Sequence, residues 1–333
     1  MRREIAIDDA IIGENKKAYI IAEIGLNHNN DMELTKKMIR NAKENGADAV
    51  KFQTFISEKL FMDSIEIFPL FKSLELTKED FKEISSYCKK TDITFFSTPF
   101  CTECVEWLEE IDVPCYKIAS SDLDFIELIV RCANTKKPVI LSTGMGDLPS
   151  IKKSVKIIEK TGNKNIIILH TITKYPPEYK DMDLRMISRL RKEFDYPIGF
   201  SDHSLDNTMA VVARALGASI FEKHFTLDKK LPGPDHAISL EPKELMDLKK
   251  KLSAVDAGLE EHLNERSDAL MAKGAKRSLY ASKDIHSGTI ISREMINIIR
   301  PRSVLTPLDL NKLLGKRLKK DLKKNDPFDF TCV

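Results

Sequence analysis

The stretch that decides the fold runs from residue 19 to residue 54 and reads YIIAEIGLNHNNDMELTKKMIRNAKENGADAVKFQT. Its two ends, Tyr19–Gly25 and Ala49–Thr54, are short runs rich in apolar residues, which is typical of buried strands. Between them, residues 31–45 place apolar residues at helical spacing, and Gly46 follows where a helix commonly ends. The stretch therefore predicts a strand, a helix and a second strand parallel to the first.

The same alternation continues along the chain. Eight short β-rich runs predict strands at residues 19–25, 49–54, 94–98, 115–120, 138–143, 166–171, 197–203 and 219–225. Helical periodicity predicts helices near residues 31–45, 77–91, 102–110, 123–135, 148–161, 183–194, 205–217 and 242–262. Eight strand–helix pairs match the size of a (β/α)8 TIM barrel. A doubly wound sheet is disfavoured because no GxGxxG or GxxxxGKS loop is present.

A change in composition predicts a second domain. We expect the barrel to span residues 1–262 and a polar linker to span residues 263–276. Residues 277–333 form short apolar runs at 278–281, 289–291 and 296–299, separated by Gly, Pro and Ser, which indicates a small β-rich domain. Residues 273–333 carry 14 Lys and Arg against 6 Asp and Glu, so this end of the chain is basic.

Composition excludes several classes of protein. A net charge of +2 over 333 residues gives no reason to expect a nucleic-acid or membrane partner. No apolar run approaches the roughly 18 residues that a membrane span needs, and the first residues contain no signal-peptide pattern. We therefore expect a cytoplasmic protein with its six cysteines reduced. The spacing of Cys101 and Cys104 has no second pair to complete a zinc site, so we interpret it as incidental.

Polar side chains end nearly every predicted strand, where barrels carry their active sites. Because side chains alternate along a strand, Lys51 shares a face with Gln53, Ser201 with His203, and Glu222 with His224. The inward-facing set would hold two lysines, several hydroxyls, two glutamates and two histidines: Lys51, Lys117, Thr98, Ser120, Ser142, Ser201, Glu23, Glu222, His203 and His224. Lysines and hydroxyls suit phosphate or carboxylate groups, and two histidines suit a divalent ion. The residues alone predict an anion-binding metal site in the barrel mouth.

The strand-end motifs resemble a known family. They are found at residues 22–28 (AEIGLNH), 51–53 (KFQ), 97–100 (STPF), 116–120 (YKIAS), 141–145 (LSTGM), 199–204 (GFSDHS), 222–228 (EKHFTLD) and 232–236 (PGPDH). Together they resemble the N-acetylneuraminate (sialic acid) synthase family, which includes legionaminic and pseudaminic acid synthases. The resemblance covers residues 15–262, and residues 277–333 resemble the antifreeze-like (SAF) domain fused to these synthases.

The resemblance implies a reaction: phosphoenolpyruvate condenses with an N-acylated hexosamine-type sugar, either N-acetylmannosamine or a 2,4-diacetamido-2,4,6-trideoxyhexose, and phosphate leaves. The implied phosphoenolpyruvate-binding residues are Lys51, Thr98, Lys117, Ser120, Ser142, Thr173 and Ser201. The implied sugar-binding residues are Gln53, Asp122, Tyr175 and Asp235. His203 and His224 match ligands of a divalent metal, Mn²⁺ being expected and Mg²⁺ or Co²⁺ the alternatives. We expect Glu23, Lys51, Lys117 and Glu222 to be the catalytic residues. Of the two carboxylates, Glu23 matches an active-site carboxylate of the family, and either Glu23 or Glu222 would relay the proton to or from the water.

The resemblance also implies an assembly. Arg300 resembles the arginine that the antifreeze-like domain of one subunit sends into its partner's active site, so we expect a domain-swapped homodimer. The family pattern differs at Thr173, where many relatives have Asn, and at Asp122, where sialic acid synthases often have Glu. Three alternatives remain open: a 3-deoxy-ulosonate-phosphate synthase on the same barrel, a Schiff-base aldolase using Lys51 or Lys117, and a catalytically silent sugar-binding protein.

Overall fold

The computed structural model describes residues 3–260 and 268–333. The chain divides into two compact units, one comprising Met1–Leu259 and the other Glu260–Val333. The end of the predicted barrel domain, residues 261–262, and the start of the predicted linker, residues 263–267, lie outside the described residues. No helix in the described ranges is long and apolar enough to cross a membrane.

An antiparallel hairpin, β1 (Ile5–Ile7) and β2 (Ala10–Ile12), precedes the barrel and was not predicted from the sequence. The Thr94 hydroxyl, at the start of the strand over residues 94–99, donates to Asp8 at 2.7 Å. The amide of Arg3 donates to the carbonyl of Asp195, shortly before another strand begins. The hairpin therefore contacts the amino-terminal ends of barrel strands, away from the end where the polar residues collect.

Eight parallel strands close into a barrel, which confirms the predicted TIM-barrel fold. They are β3 (Tyr19–Gly25), β4 (Ala49–Thr54), β5 (Thr94–Pro99), β6 (Tyr116–Ile118), β7 (Val139–Ser142), β8 (Ile166–Thr171), β9 (Ile198–Ser201) and β10 (Ile220–His224). Pairing of β10 with β3 closes the ring. In this register Glu23 lies beside both His224 and Lys51, while Glu222 lies beside Ser201. The strand pairing alone thus brings the predicted polar residues together.

Ten helices of the described residues surround the barrel, and the eight longest bury their apolar faces against the strands. They are α1 (Met32–Glu44), α2 (Ser57–Leu60), α3 (Phe68–Leu74), α4 (Lys78–Thr91), α5 (Thr102–Ile111), α6 (Ile126–Asn134), α7 (Leu148–Lys160), α8 (Arg185–Glu193), α9 (Thr208–Ala215) and α10 (Pro242–Leu259). The sequence predicts eight of these ten, because α2 and α3 are short and lie within one connection. That connection, residues 55–77, is long for a strand-to-helix loop of a barrel.

Helix α4 begins with a capping box. Thr77 accepts a hydrogen bond from the amide of Asp80, and the Asp80 carboxylate accepts one from the amide of Thr77 at 2.8 Å. Because these bonds satisfy amides that the first helical turn leaves free, Thr77→Ala should lower the free energy of unfolding by about 1 kcal/mol. Urea denaturation measures this difference. An unchanged midpoint would show that the cap contributes nothing to stability.

The second unit forms its own small core around a two-stranded antiparallel sheet. Its elements are α11 (Ala269–Ala275), β11 (Ser278–Ala281), β12 (Ile296–Ile299) and α12 (Leu310–Leu313). Helix α11 occupies most of the described part of the stretch for which we predict a linker. Leu279, Ile296 and Phe328 are among the residues buried in the core of this unit. Of the predicted apolar runs, residues 289–291 make only an isolated bridge, between Ile290 and Arg317.

Candidate active site

A cavity of about 310 Å³ lies at the carboxyl ends of the barrel strands. Thirteen of the residues predicted for the site line it: Glu23, Lys51, Gln53, Thr98, Lys117, Ser120, Ser142, Thr173, Tyr175, Ser201, His203, Glu222 and His224. They come from all eight strands or the loops directly after them. Active sites of TIM barrels lie at this end, and a concave pocket with converging polar groups is the usual form of a ligand site.

Two lysines and two glutamates form a buried cluster in the cavity. Nζ of Lys51 lies 2.8 Å from Oε2 of Glu23 and 3.7 Å from Oε2 of Glu222, and it donates to Oγ1 of Thr98 at 3.0 Å. Nζ of Lys117 lies 3.7 Å from Oε1 of Glu222. All four charged side chains are at most 7% exposed. Glu222 is therefore the carboxylate that the two lysines share.

The cluster changes the acidity of its members. Burial favours the neutral form of Lys51, but Glu222 and Glu23 outweigh it and raise the pKa of Lys51. Burial lowers the pKa of Lys117 to about 8, because the attraction of Glu222 does not fully compensate and Lys51 repels a second charge. For Glu222, burial opposes ionisation, yet Lys117 and Lys51 together lower its pKa. The site thus holds an ionised carboxylate between two lysines of different basicity.

Two histidines lie side by side at the rim of the cluster. The ring centroids of His203 and His224 are 5.5 Å apart, and the ring of Tyr175 stacks on His203 at 4.2 Å. Nδ1 of His203 lies 2.8 Å from the carbonyl oxygen of Ile172, so this nitrogen donates and Nε2 keeps its lone pair. Nδ1 of His224 is buried without a hydrogen-bond partner.

These ring nitrogens fit the donor set of a divalent metal ion. A ligating histidine typically donates its other ring nitrogen to a carbonyl or carboxylate, as His203 does. Within the described residues no group of three or more His, Cys, Asp and Glu side chains is arranged to hold a metal. An ion bound by His203 and His224 would therefore take its other ligands from water or substrate oxygens.

Several hydroxyls in the cavity wall lack hydrogen-bond partners. Oγ of Ser142 and Oγ1 of Thr171 and Thr173 are buried and unsatisfied. A buried polar atom without a partner costs free energy, so such atoms are expected where a ligand supplies the missing bond. Thr171 was not among the predicted site residues, although its position at the end of β8 is a signal that could have identified it.

One wall of the cavity is apolar and was not predicted from the sequence. The side chains that form it are Leu60, Phe61, Phe71, Phe100 and Met145. The first three come from the connection that contains α2 and α3. This connection packs on its own small core with Leu26, Phe55 and Leu74. Its unusual length and its phenylalanines were the available signals that it folds over the barrel mouth.

Three predicted site residues lie outside the cavity wall. Asp122 ends a 3₁₀ turn after β6, and burial raises its pKa to about 6. Asp235 has its Oδ2 3.7 Å from Nδ1 of His224, next to the histidine pair. Arg300 is exposed and belongs to the second unit, where it precedes a cis proline, Pro301. The prediction that Arg300 reaches an active site remains a prediction.

A buried lysine on the opposite face of β10 holds the loop after β9 in place. Nζ of Lys223 lies 3.0 Å from Oδ2 of Asp202 and donates to the carbonyls of Ser204 and Asp206 at 2.6 and 2.9 Å. This loop carries His203. Lys223 therefore fixes the backbone that presents His203 to the cavity, a role that strand alternation alone does not reveal.

A closed barrel with a buried cluster of lysines, carboxylates and histidines at the carboxyl ends of its strands defines a barrel enzyme suited to an anionic substrate. Residues 38–263 match the NeuB family, and residues 276–333 match the SAF domain. The chain belongs to the NeuB family.

Relatives with named activities cover nearly the whole chain. The chain is 34% identical to the N,N'-diacetyllegionaminic acid synthase of Legionella pneumophila, over 93% of each chain. It is 32% identical to the N-acetylneuraminate-9-phosphate synthase of Homo sapiens, over 95% of this chain and 92% of the human protein. Among solved structures, the N-acetylneuraminic acid synthetase of Leptospira borgpetersenii, in complex with citrate, superposes with a TM-score of 0.78 at 37% identity. That match covers 81% of this chain and 95% of the other.

Proposed function

We propose that this protein is a nonulosonic acid synthase, which joins phosphoenolpyruvate to an N-acylated hexosamine-type sugar and releases inorganic phosphate. In this reaction C3 of phosphoenolpyruvate forms a bond with the aldehyde carbon of the open-chain sugar. Water adds at C2, and the bond between C2 and the bridging oxygen breaks. The observation that carries the proposal is the cluster of Lys51, Lys117 and Glu222 in a cavity with unpartnered hydroxyls, in a chain of the NeuB family.

Binding of phosphoenolpyruvate needs more positive charge than the cluster itself provides. The two lysines and the two glutamates of the cluster cancel, so the cluster itself is close to neutral. Phosphoenolpyruvate carries roughly three negative charges, which a neutral, buried site would not hold. A divalent cation and one further positive side chain would complete the balance. The proposal assigns these roles to a metal ion at His203 and His224 and to Arg300.

Bound metal would polarise the aldehyde oxygen of the sugar as a Lewis acid. The chain's own residues would perform the other tasks. Lys51 and Lys117 would bind the phosphate and carboxylate groups, and the hydroxyls of Ser142 and Thr173 would orient them. Glu23 or Glu222 would exchange a proton with the water that adds at C2.

The metal site is testable by binding alone. His224→Ala removes a ring nitrogen that is buried without a partner. The affinity of the protein for Mn²⁺ should therefore fall at least about tenfold. Isothermal titration of Mn²⁺ into the metal-free protein measures this change. His170→Ala is the matched control, because His170 is a buried histidine whose Nε2 bonds to the carbonyl of Met182 away from the cavity. Equal Mn²⁺ affinity in both variants would contradict the proposed site.

The apolar wall bears on the second substrate. Leu60, Phe61 and Phe71 offer surface to acetyl groups or to a methyl group of the sugar, so they suit an N-acylated acceptor. Both N-acetylmannosamine and 2,4-diacetamido-2,4,6-trideoxyhexoses carry such groups. The relatives named above include one synthase of N,N'-diacetyllegionaminic acid and two synthases of N-acetylneuraminic acid or its 9-phosphate.

The proposal extends to the assembly of the protein. Arg300 of one chain would reach the active site of a second copy in a domain-swapped homodimer, in the cytoplasm, where phosphoenolpyruvate is formed. Arg300 is exposed in the single chain, so its guanidinium is available to an anionic ligand. Mixing an Arg300→Ala chain with a Lys117→Met chain tests this: a swapped dimer should regain activity, because one of its two sites carries both residues intact.

The experiment that tests the proposed reaction is phosphate release from phosphoenolpyruvate. Purified protein receives Mn²⁺ and one sugar at a time, N-acetylmannosamine and then 2,4-diacetamido-2,4,6-trideoxyhexoses, with and without EDTA. Phosphate release that requires one sugar and stops with EDTA is expected. No release with any of these sugars, from folded and Mn²⁺-loaded protein, would show that the substrate class is wrong.

A further inference from the structure

Two cysteines at the start of α5 lie in direct contact. Sγ of Cys101 and Sγ of Cys104 are 2.9 Å apart. Cys101 is the N-cap residue of the helix, and Cys104 lies in its first turn. The pair lies outside the set of residues that line the cavity. All six cysteines of the chain are free thiols, and in the described residues this is the pair whose sulfur atoms meet.

The two thiols differ in exposure and acidity. Cys101 is 6% exposed, whereas Cys104 is fully buried. The hydrogen bond shared with Cys104, together with the amide of Cys104 and the charge of Lys59, lowers the pKa of Cys101 against the opposing effect of burial. The pKa of Cys104 rises, because the hydrogen bond with Cys101 and burial both disfavour its thiolate. Burial also raises the pKa of Cys88 and of Cys132. Cys101 is the N-cap residue and the more exposed of the two, so it is the thiol suited to attack, and Cys104 is the thiol placed to resolve.

We propose that Cys101 and Cys104 form a redox-active dithiol, which closes into a disulfide on reaction with a hydroperoxide. The Cys101 thiolate attacks one peroxide oxygen, the O–O bond breaks, and the leaving oxygen takes up a proton as Cys101 becomes a sulfenic acid. Sγ of Cys104 then attacks Sγ of Cys101, the S–O bond breaks, and water leaves with the thiol proton. Two thiols are oxidised by two electrons, and hydrogen peroxide is reduced to two waters.

The geometry makes closure a small movement. A disulfide requires a sulfur separation of about 2.05 Å, so the two sulfurs need to approach by less than about 1 Å. The pair also adjoins the cavity wall, because Phe100 directly precedes Cys101 and lines the cavity. Glu103, between the two cysteines, pairs with Lys59 of α2. The dithiol therefore lies beside the apolar wall, although its chemistry does not depend on the reaction proposed for the cavity.

Thiol counting on the full-length chain tests the proposal. The protein is treated with a small excess of hydrogen peroxide, quenched with catalase, unfolded and alkylated with N-ethylmaleimide. Before treatment six cysteines should be alkylated. After treatment only four should be alkylated, so the mass of the alkylated chain should fall by two N-ethylmaleimide groups and two hydrogens, and a peptide linking Cys101 to Cys104 should appear.

Variants separate the pair from the other cysteines. Cys104→Ser should form no disulfide and should instead give a dimedone adduct at Cys101, the product of a trapped sulfenic acid. Cys88→Ser, which removes a buried thiol with no sulfur contact among the described residues, should form the same disulfide as the unmodified chain. The proposal is overturned if all six thiols remain after treatment, or if the disulfide that forms joins other cysteines.

Discussion

Replacing Lys117 by methionine should lower kcat/KM for phosphoenolpyruvate on the order of 1000-fold, while the chain stays folded. Nζ of Lys117 lies in the cavity 3.7 Å from Glu222, and methionine keeps the length of the side chain but removes its charge. An anion bound in a water-poor site would lose one of its two lysine partners there. The free energy of unfolding should not fall, because burial lowers the pKa of Lys117 and so already disfavours its charged form, and Glu222 keeps Lys51 as a partner at 3.7 Å. Steady-state phosphate release and urea denaturation measure the two effects.

The matched control for this variant is Lys137→Met. Lys137 also forms ion pairs, at 2.9 Å with Glu109 and 2.8 Å with Asp112, but it lies before β7, away from the cavity. Its kcat/KM should remain within about twofold, since the pairs are partly exposed. Retained activity in Lys117→Met would contradict the proposed binding role. Trapping of the unmodified protein by borohydride in the presence of substrate would instead indicate a Schiff base on a lysine.

Replacing Glu222 by glutamine should lower the free energy of unfolding by about 3 kcal/mol, because it leaves a buried lysine without its counter-charge. Lys51 keeps Glu23 at 2.8 Å, but Glu222 is the carboxylate paired with Lys117 in the described structure. Loss of the carboxylate that Lys51 and Lys117 share should also abolish phosphate release, because both lysines then lose a negative charge that balances them. Urea denaturation at neutral pH measures the first effect and the phosphate assay the second.

Glu193→Gln provides the comparison for stability. Its partner Lys152 is half exposed, so this pair should contribute less than about 1 kcal/mol. If Glu222→Gln and Glu193→Gln unfold at the same denaturant concentration, the stability of the protein does not depend on Glu222 in the buried cluster. A stable but inactive Glu222→Gln would restrict the role of Glu222 to the reaction itself.

Strand alternation explains how much of the site was predictable. The direction of the side chains repeats every two residues along a strand, so one inward-facing position predicts the next. This is why Lys51 with Gln53 and Glu222 with His224 line one cavity. The predicted strands 19–25, 49–54 and 166–171 agree with β3, β4 and β8 at both ends. At these strands the boundaries predicted from the sequence coincide with the limits of the backbone pairing.

The alternation of side chains no longer predicts their direction once the backbone leaves the sheet. The predicted strand 115–120 ends in the structure at Ile118, and a 3₁₀ turn follows it to Asp122. The turn, and not the strand, decides where Asp122 points, so its place outside the cavity wall was not predictable from spacing. The same holds for Phe61 and Phe71, which reach the cavity because their long connection folds on its own core. Contact between Cys101 and Cys104 likewise depends on where α5 begins.

The most direct test of the central claim follows the bridging oxygen of phosphoenolpyruvate. The substrate is labelled with ¹⁸O between C2 and phosphorus, and the released phosphate is examined by ³¹P NMR with and without the accepted sugar. The proposed condensation breaks the bond between C2 and this oxygen, so the phosphate should carry the label and should form only when sugar is present. Unlabelled phosphate, or labelled phosphate formed without sugar, would contradict the assignment of this barrel as a nonulosonic acid synthase.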